Sequence, residues 1–395
     1  MLKKFDNISK ISLISFFSSL YFYLPILTIY YQQKNLNFIQ INSLWGIITG
    51  TIFLSEIPTG LIADKIGRKL SIIVSLSLQL IGEILFLFAQ NYLFFIIISI
   101  IAGIGFAFQS GCSQALVYDS LKEQKREKEM KKATGSIGSF FQAGHVLGAL
   151  ASSFIVSQIT QSRIILAILL TIVSVGISLL ISLFLKEPKT DYKHVEKNPL
   201  EIISQSFALI KQNSSLKRII LLGIFTTPFA GYLRNFHPPY FQLANVAPYW
   251  LGLSLGIGGI AAALASKYAY KLEEVFGIEK GMFLATCLPG FLYVFMALVI
   301  HPVFAVVLFI SNFGYMSFQD PLFADYYNVH IKSEIRATVL STINMFSSAY
   351  IALMGLIIGW IAGFSVLYAF LFMGVIVLLG STIFRIGKRH LVTNS

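Results

Sequence analysis

The chain of 395 residues is too apolar and too poor in charge for a soluble protein. Hydrophobic residues make up 56% of it and charged residues only 12%, whereas a soluble domain carries about twice that share of charge. Disordered, collagenous and disulfide-rich classes are excluded as well, and the two cysteines, Cys112 and Cys287, fall in apolar runs as expected for buried thiols. The composition therefore predicts an all-α membrane protein with many spans.

Twelve segments of the chain are apolar over the roughly 20 residues that a transmembrane helix requires. In chain order the predicted spans are Ile11–Tyr31, Ile41–Ala63, Leu70–Ala89, Tyr92–Val117, Ala133–Ile155, Ile164–Leu185, Ile219–Phe241, Pro248–Ser266, Gly281–Ile300, Val303–Phe323, Ala337–Ile361 and Phe364–Phe384.

The basic residues are distributed unevenly between the loops that join these spans. If the loops alternate between the two sides of the membrane, 27 of the 30 Lys and Arg residues fall on the side of both termini. The exceptions are Lys34, Arg163 and Arg234. Because basic loops stay in the cytoplasm, both termini are predicted to be cytoplasmic. The net charge of +12 is thus a topology signal, and it does not indicate nucleic-acid binding.

A polar stretch after the sixth span divides the chain into two halves that resemble each other. The predicted parts are an N-terminal six-helix bundle over 1–185, a cytoplasmic linker over 186–217 and a C-terminal six-helix bundle over 218–395. The fourth span ends at Asp119 and precedes Lys132-Ala-Thr134, and the tenth ends at Asp325 and precedes Arg336-Ala-Thr338. Internal repeats of this kind are typical of secondary transporters.

A glycine-containing charged motif ends the second span, Gly60-Leu-Ile-Ala-Asp64-Lys-Ile-Gly67-Arg68-Lys69. Gly60 has no side chain and permits the close approach of another helix, and Gly67 permits the tight turn that a short connection requires. The motif resembles the signature between helices two and three of the major facilitator superfamily, Gly-x-x-x-Asp-x-x-Gly-Arg-Lys.

That resemblance implies a secondary transporter with twelve transmembrane helices in two pseudo-symmetric six-helix bundles, and neither an enzyme nor a cofactor-binding protein. It also implies a network that latches one conformational state, whose members by position are Gly60, Asp64, Gly67, Arg68 and Asp119. In the second half, Asp325 and Arg336 are expected to form a structural counterpart of this latch.

The longer pattern around the motif is similar to bacterial drug:proton antiporters. Glu56-Ile-Pro-Thr precedes Gly60, and Tyr118-Asp119-Ser120 ends the fourth span. The chain departs from that subgroup at Ser99, where the usual residue is Arg, and at His145, where helix five usually has Pro. The resemblance implies proton-coupled efflux of a small amphipathic solute from the bacterial cytoplasmic membrane. The alternatives are proton-coupled uptake of a nutrient or metabolite and a membrane receptor or assembly factor without transport.

Ionisable side chains inside predicted spans are costly, so each is a candidate for function. Four are candidates for proton coupling: Glu56, Glu83, Asp320 and His145. Glu56 ranks first because it shares a helix with Asp64, so its protonation would be transmitted to the latch along one rigid element. The alternatives are a structural hydrogen bond between helices for Glu56, Glu83 and His145, membership of the latch for Glu56, and substrate binding for Asp320.

Aromatic and polar residues of the spans are candidates for lining a substrate cavity. The seventh span contains Pro228 and is predicted to be broken, with Arg234 beyond the break. The polar residues around Arg234 indicate either a gate or substrate site or a cap at the outer membrane surface. The predicted cavity residues are Tyr21, Phe108, Arg234, Tyr315 and Asn344. The sequence has no phosphate-binding loop and no metal-ligand spacing, which argues against ATP-driven transport and a metal site. The expected partners are a small solute, protons and the lipid bilayer, and the protein is expected to be a monomer.

Overall fold

The computed structural model describes residues 6–188, 214–331 and 336–387, and in these residues all regular secondary structure is helical. The helices are α1 (Asn7–Ser18), α2 (Leu27–Gln33), α3 (Phe38–Ile66), α4 (Arg68–Phe88), α5 (Tyr92–Gln109), α6 (Cys112–Glu123), α7 (Met130–Ile155), α8 (Gln161–Leu183), α9 (Ser214–Thr226), α10 (Phe229–Leu243), α11 (Tyr249–Lys267), α12 (Ala269–Leu298), α13 (Pro302–Met316), α14 (Gln319–His330), α15 (Arg336–Phe364) and α16 (Val366–Ile383).

The predicted all-helical membrane fold is confirmed. Within the described residues, ten segments are long and apolar enough to cross a membrane. The two remaining predicted spans correspond to the region of α1 and α2 and to α7. Helix α7 is 26 residues long but contains many small and polar residues, and α1 has only 12 residues.

The first predicted span, Ile11–Tyr31, is wrong as a continuous helix. Helix α1 ends at Ser18, and a short 3₁₀ turn over Leu24–Ile26 precedes α2. Pro25 lies in this turn and has no N–H for a helical hydrogen bond. Side chains from other helices bind the freed backbone instead, since the Phe22 amide donates to Thr171 Oγ1 at 3.1 Å.

Three other spans are divided into two helices each. The break predicted at Pro228 is confirmed, because α9 ends at Thr226 and α10 begins at Phe229. The fourth span is interrupted between α5 and α6, where Gly111 has a φ of +74°. The tenth span is interrupted between α13 and α14, just before Asp320 and its proline.

Two compact units account for the described residues, and each includes a short segment from the other half of the chain. The N-terminal unit contains residues 6–36, 43–188 and 248–256. The C-terminal unit contains residues 37–42, 214–247, 257–331 and 336–387. Residues 189–213, most of the predicted linker, lie outside the described residues.

Glycines of α7 hold the end of α1 in the N-terminal unit. A Cβ built on Gly144 would overlap the Phe16 carbonyl and the Ser19 hydroxyl, and one on Gly148 would lie 3.2 Å from the Tyr21 amide nitrogen. The Ser19 hydroxyl also donates to the Phe141 carbonyl at 2.8 Å. The interruption of the first span is therefore packed directly against a small-residue face of α7.

Candidate functional site

The charged motif forms a tight turn between α3 and α4. Helix α3 ends at Ile66, Gly67 has a φ of +92°, and α4 begins at Arg68. Residues other than glycine rarely adopt that backbone conformation, which explains the glycine at this position. Asp64 Oδ1 lies 3.6 Å from Arg68 Nη1, so two of the predicted latch residues form an ion pair across this turn.

A carboxylate that the sequence analysis did not identify closes this turn. Glu187 accepts the Arg68 amide at 2.7 Å through Oε1 and the Lys69 amide at 2.6 Å through Oε2. These are the exposed N–H groups at the start of α4, where a negative charge is favoured. A Cβ on Gly67 would lie 2.9 Å from Glu187 Oε1, so a larger residue at this position would displace the carboxylate.

The chain around Glu187 is itself attached to α1. Asn7 exchanges two hydrogen bonds with the backbone of Lys186, at 2.7 Å and 3.0 Å. Lys10 Nζ donates to the Phe184 carbonyl at 2.8 Å. The end of the sixth span is thus held by α1 in a position from which Glu187 reaches the start of α4.

The other predicted latch residues differ in their surroundings. Asp119 is half-buried within electrostatic range of Arg68, and the Cys112 thiol lies close to the same guanidinium. Gly60 is exposed, and no atom lies within 4 Å of a Cβ built on it, so the close helix contact expected there is not made in this structure. The side chains of Asp325 and Arg336 lie outside the described residues.

Replacing Glu187 with glutamine is expected to weaken the start of α4. The amide keeps one oxygen acceptor but loses the charge, and a charge at a helix N-terminus contributes about 0.3–1 kcal/mol. We expect a fall of about 1–3 °C in the melting temperature of the detergent-purified protein. Glu123→Gln, which removes an exposed charge elsewhere in the same unit, is the control. An equal effect of both variants would contradict a specific role for Glu187.

Glu83 is a buried carboxyl on α4, and only 9% of its surface is exposed. The Tyr23 hydroxyl contacts both of its oxygens, at 3.0 Å and 2.9 Å. Tyr21 and Tyr31 lie within electrostatic range, and no described residue forms an ion pair with the carboxyl. Since Tyr21 and Tyr23 belong to the interruption of the first span, Glu83 is attached to the irregular part of that span.

The other proton-coupling candidates are less enclosed. Glu56 is exposed, and its carboxylate accepts the Ser110 hydroxyl at 3.2 Å. Asp320 is also exposed, in the first turn of α14. The half-buried His145 ring lies 4.6 Å from the Phe141 ring and 6.5 Å from the Tyr21 ring, measured between centroids. Tyr21 is therefore near both His145 and Glu83, whereas the hydrogen bond of Glu56 is to Ser110.

The predicted cavity residues are divided between the two units. In the N-terminal unit Tyr21 is half-buried and Phe108 is 8% exposed. In the C-terminal unit Asn344 is exposed, Arg234 is half-buried, and the half-buried Tyr315 ring packs 5.1 Å from the Phe318 ring.

Comparisons with known proteins agree on the class of the fold. The sequence model of the Major Facilitator Superfamily matches residues 11–353. An uncharacterized MFS-type transporter, YxaM of Bacillus subtilis (strain 168), is 23% identical over 265 residues, which cover 66% of this chain and 64% of that protein. The matched part thus spans somewhat less than two thirds of the length of this relative.

Solved structures show the same fold at low sequence identity. The nucleoside transporter NupG superposes with a TM-score of 0.79 at 12% identity, over 98% of this chain and 100% of that one. A bacterial homologue of the human lysosomal transporter Spinster, in an inward-facing and unoccupied conformation, gives a TM-score of 0.75 at 13% identity over 98% of each chain.

Proposed function

Because the chain belongs to the Major Facilitator Superfamily, we propose that it is a secondary transporter that exports a small amphipathic organic solute in exchange for protons. The protein is a multi-pass membrane protein and a non-enzymatic transporter by family. The working unit is a monomer in the bacterial cytoplasmic membrane, with six-helix halves over 1–185 and 218–395.

The observation that carries proton coupling is the position of Glu83. An ionised carboxyl costs free energy in a membrane interior unless a cation or hydrogen bonds compensate it. The hydrogen-bond partner of the Glu83 carboxyl is the Tyr23 hydroxyl, which lies on the interruption of the first span. Gaining or losing a proton therefore changes the stability of this tyrosine contact. A group whose interaction differs between two conformations shifts the balance between them, which is the requirement for coupling.

The latch turn supports the alternating-access part of the proposal. Asp64, Arg68 and Glu187 hold α3, α4 and the end of the sixth span together at one end of the N-terminal unit. None of these contacts needs a solute. We infer that they bias the protein between its two states, and that Gly60 becomes a helix contact in the other state.

Transport is tested with purified protein in liposomes that contain the pH indicator pyranine. Solutes are added outside one at a time, and the panel includes cationic dyes, organic acids, nucleosides and short peptides. The last two are included because the similar structures comprise a nucleoside transporter and a POT family transporter in complex with a peptide conjugate. Antiport predicts that an added solute drives protons out of the lumen.

The sign and size of this proton movement separate the alternatives. Proton entry together with the solute would show symport, which is the mechanism expected for uptake of a nutrient. Absence of both solute exchange and proton movement for the whole panel, with protein-free liposomes as the baseline, would favour a receptor or assembly factor. Only proton exit supports the proposed function.

Cytoplasmic termini are tested by labelling single cysteines in intact cells with a membrane-impermeant maleimide. A cysteine at Asn35, exposed between α2 and α3, is expected to react, whereas one at Lys125, exposed between α6 and α7, is expected to be protected. Cys112 and Cys287 are buried and contribute little background. Permeabilised cells, in which both positions should react, serve as the control. Labelling of position 125 in intact cells would reverse the proposed topology.

A further inference from the structure

Arg234 is a cation far from either end of a membrane span. It lies on α10, nine residues before Leu243, so about 13 Å of helix separates it from that end of the span. The span as a whole runs over Ser214–Leu243. A guanidinium at such depth is expensive unless it is paired, bonded to carbonyls, or exposed to a water-filled cavity.

Arg234 does not lie on the face of α10 that packs against other helices. Phe229, Leu233, Phe236 and Tyr240 on that helix are fully buried, whereas Arg234 is half-buried. One turn earlier, a Cβ built on Gly231 would meet no atom within 4 Å. Residues three apart share a helix face. The face of α10 that carries Arg234 therefore borders open space.

No described residue neutralises this cation. Arg234 forms neither an ion pair nor a hydrogen bond with any residue in the described part of the chain. The described acidic side chains of the C-terminal unit lie at the starts of α12 and α14. The start of α12 is at the end of the unit opposite Leu243, because α11 runs back across the unit. Asp320 lies inside the interrupted tenth span, and it forms no ion pair with Arg234. Within the described residues, a structural ion pair thus does not account for Arg234.

We propose that Arg234 binds the anionic group of the transported solute, a carboxylate or phosphate on an amphipathic organic molecule. This inference rests on the proposed function and names its substrate class. The planar guanidinium offers paired donors that match the two oxygens of such groups, which a lysine would not. A lipid headgroup is the other source of the same chemistry, and the experiment separates the two.

The test measures binding to lipid-free protein in a neutral maltoside detergent. The probes are 1-naphthoate, its neutral amide 1-naphthamide, and 1-naphthyl phosphate, with phosphatidylglycerol as a separate arm. Wild type is expected to bind at least one anionic naphthyl probe roughly tenfold more tightly than the amide. Arg234→Gln is expected to lose that preference without changing amide binding, and Arg234→Lys is expected to retain part of it.

Arg163→Gln is the matched control, because it removes a guanidinium that donates to the Phe154 and Ile155 carbonyls and to Ser157. Melting temperatures establish that each variant is folded. Equal binding of anion and amide, no binding of any anionic probe, or binding of phosphatidylglycerol alone would overturn the inference. Pyranine-detected export of cationic or neutral solutes by Arg234→Gln at the wild-type rate would refute it while leaving the proposed function intact.

Discussion

Glu83→Gln is expected to abolish proton-driven accumulation of the solute while leaving exchange between compartments of equal pH. The amide retains the shape and a hydrogen-bond acceptor for Tyr23 but can neither gain nor lose a proton. Without differential protonation the gradient no longer biases the two states, so the accumulation ratio falls to about 1. The measurement uses the solute that the pyranine assay identifies, in liposomes with and without a pH difference.

Glu56→Gln is the matched comparison, since it makes the same change at an exposed carboxyl that accepts one hydroxyl. Tyr23→Phe, which removes the hydroxyl but not the proton carrier, is expected to slow coupled transport without eliminating it. If Glu83→Gln still concentrates the solute and Glu56→Gln does not, the carrier is Glu56. If both concentrate it, Asp320 becomes the next candidate.

Gly144→Ala is expected to destabilise the protein. The new methyl group would overlap the Phe16 carbonyl and the Ser19 hydroxyl, so α1 or α7 must move. Overpacking of this kind typically costs about 1–3 kcal/mol. The melting temperature in detergent should fall, and transport should fall with it, because the displaced backbone also carries Tyr21 and Tyr23.

Gly138→Ala on the same helix provides a control with the opposite expected sign. No atom lies within 4 Å of a Cβ on Gly138, so the substitution should only restrict the unfolded chain, with a gain of about 0.5–1 kcal/mol. Opposite shifts in melting temperature for the two variants would attribute the effect to the contact with α1. Similar shifts would mean that α7 responds to alanine generally, and the proposed close contact would be refuted.

The parts of the fold that depend on local composition could be predicted from the sequence. Apolar length locates the spans, and Gly67 with Arg68 predicts a turn that the structure confirms in its backbone angle. The Pro228 break is similarly local, because the proline itself removes the hydrogen bond.

The contacts that depend on distant parts of the chain could not be predicted in this way. Glu187 meets the start of α4 across 119 residues, and an acidic residue after a span carries no sign of its partner. The interruption near Pro25 lies in a continuous apolar run, where the stabilising hydroxyl of Thr171 comes from α8. Glu56 and Glu83 have similar sequence contexts, since hydropathy reports depth in the membrane and not the direction of a side chain.

The attachment of Glu187 to the start of α4 determines where the polypeptide can be cut. A fragment ending at residue 185 would lack the carboxylate that accepts the Arg68 and Lys69 amides, whereas one ending at 188 would retain it together with the backbone of Lys186 that Asn7 binds. Two co-expressed fragments should therefore assemble more efficiently when the junction follows Pro188. Residues 186–188, the first beyond the sixth span, therefore belong to the folded N-terminal unit.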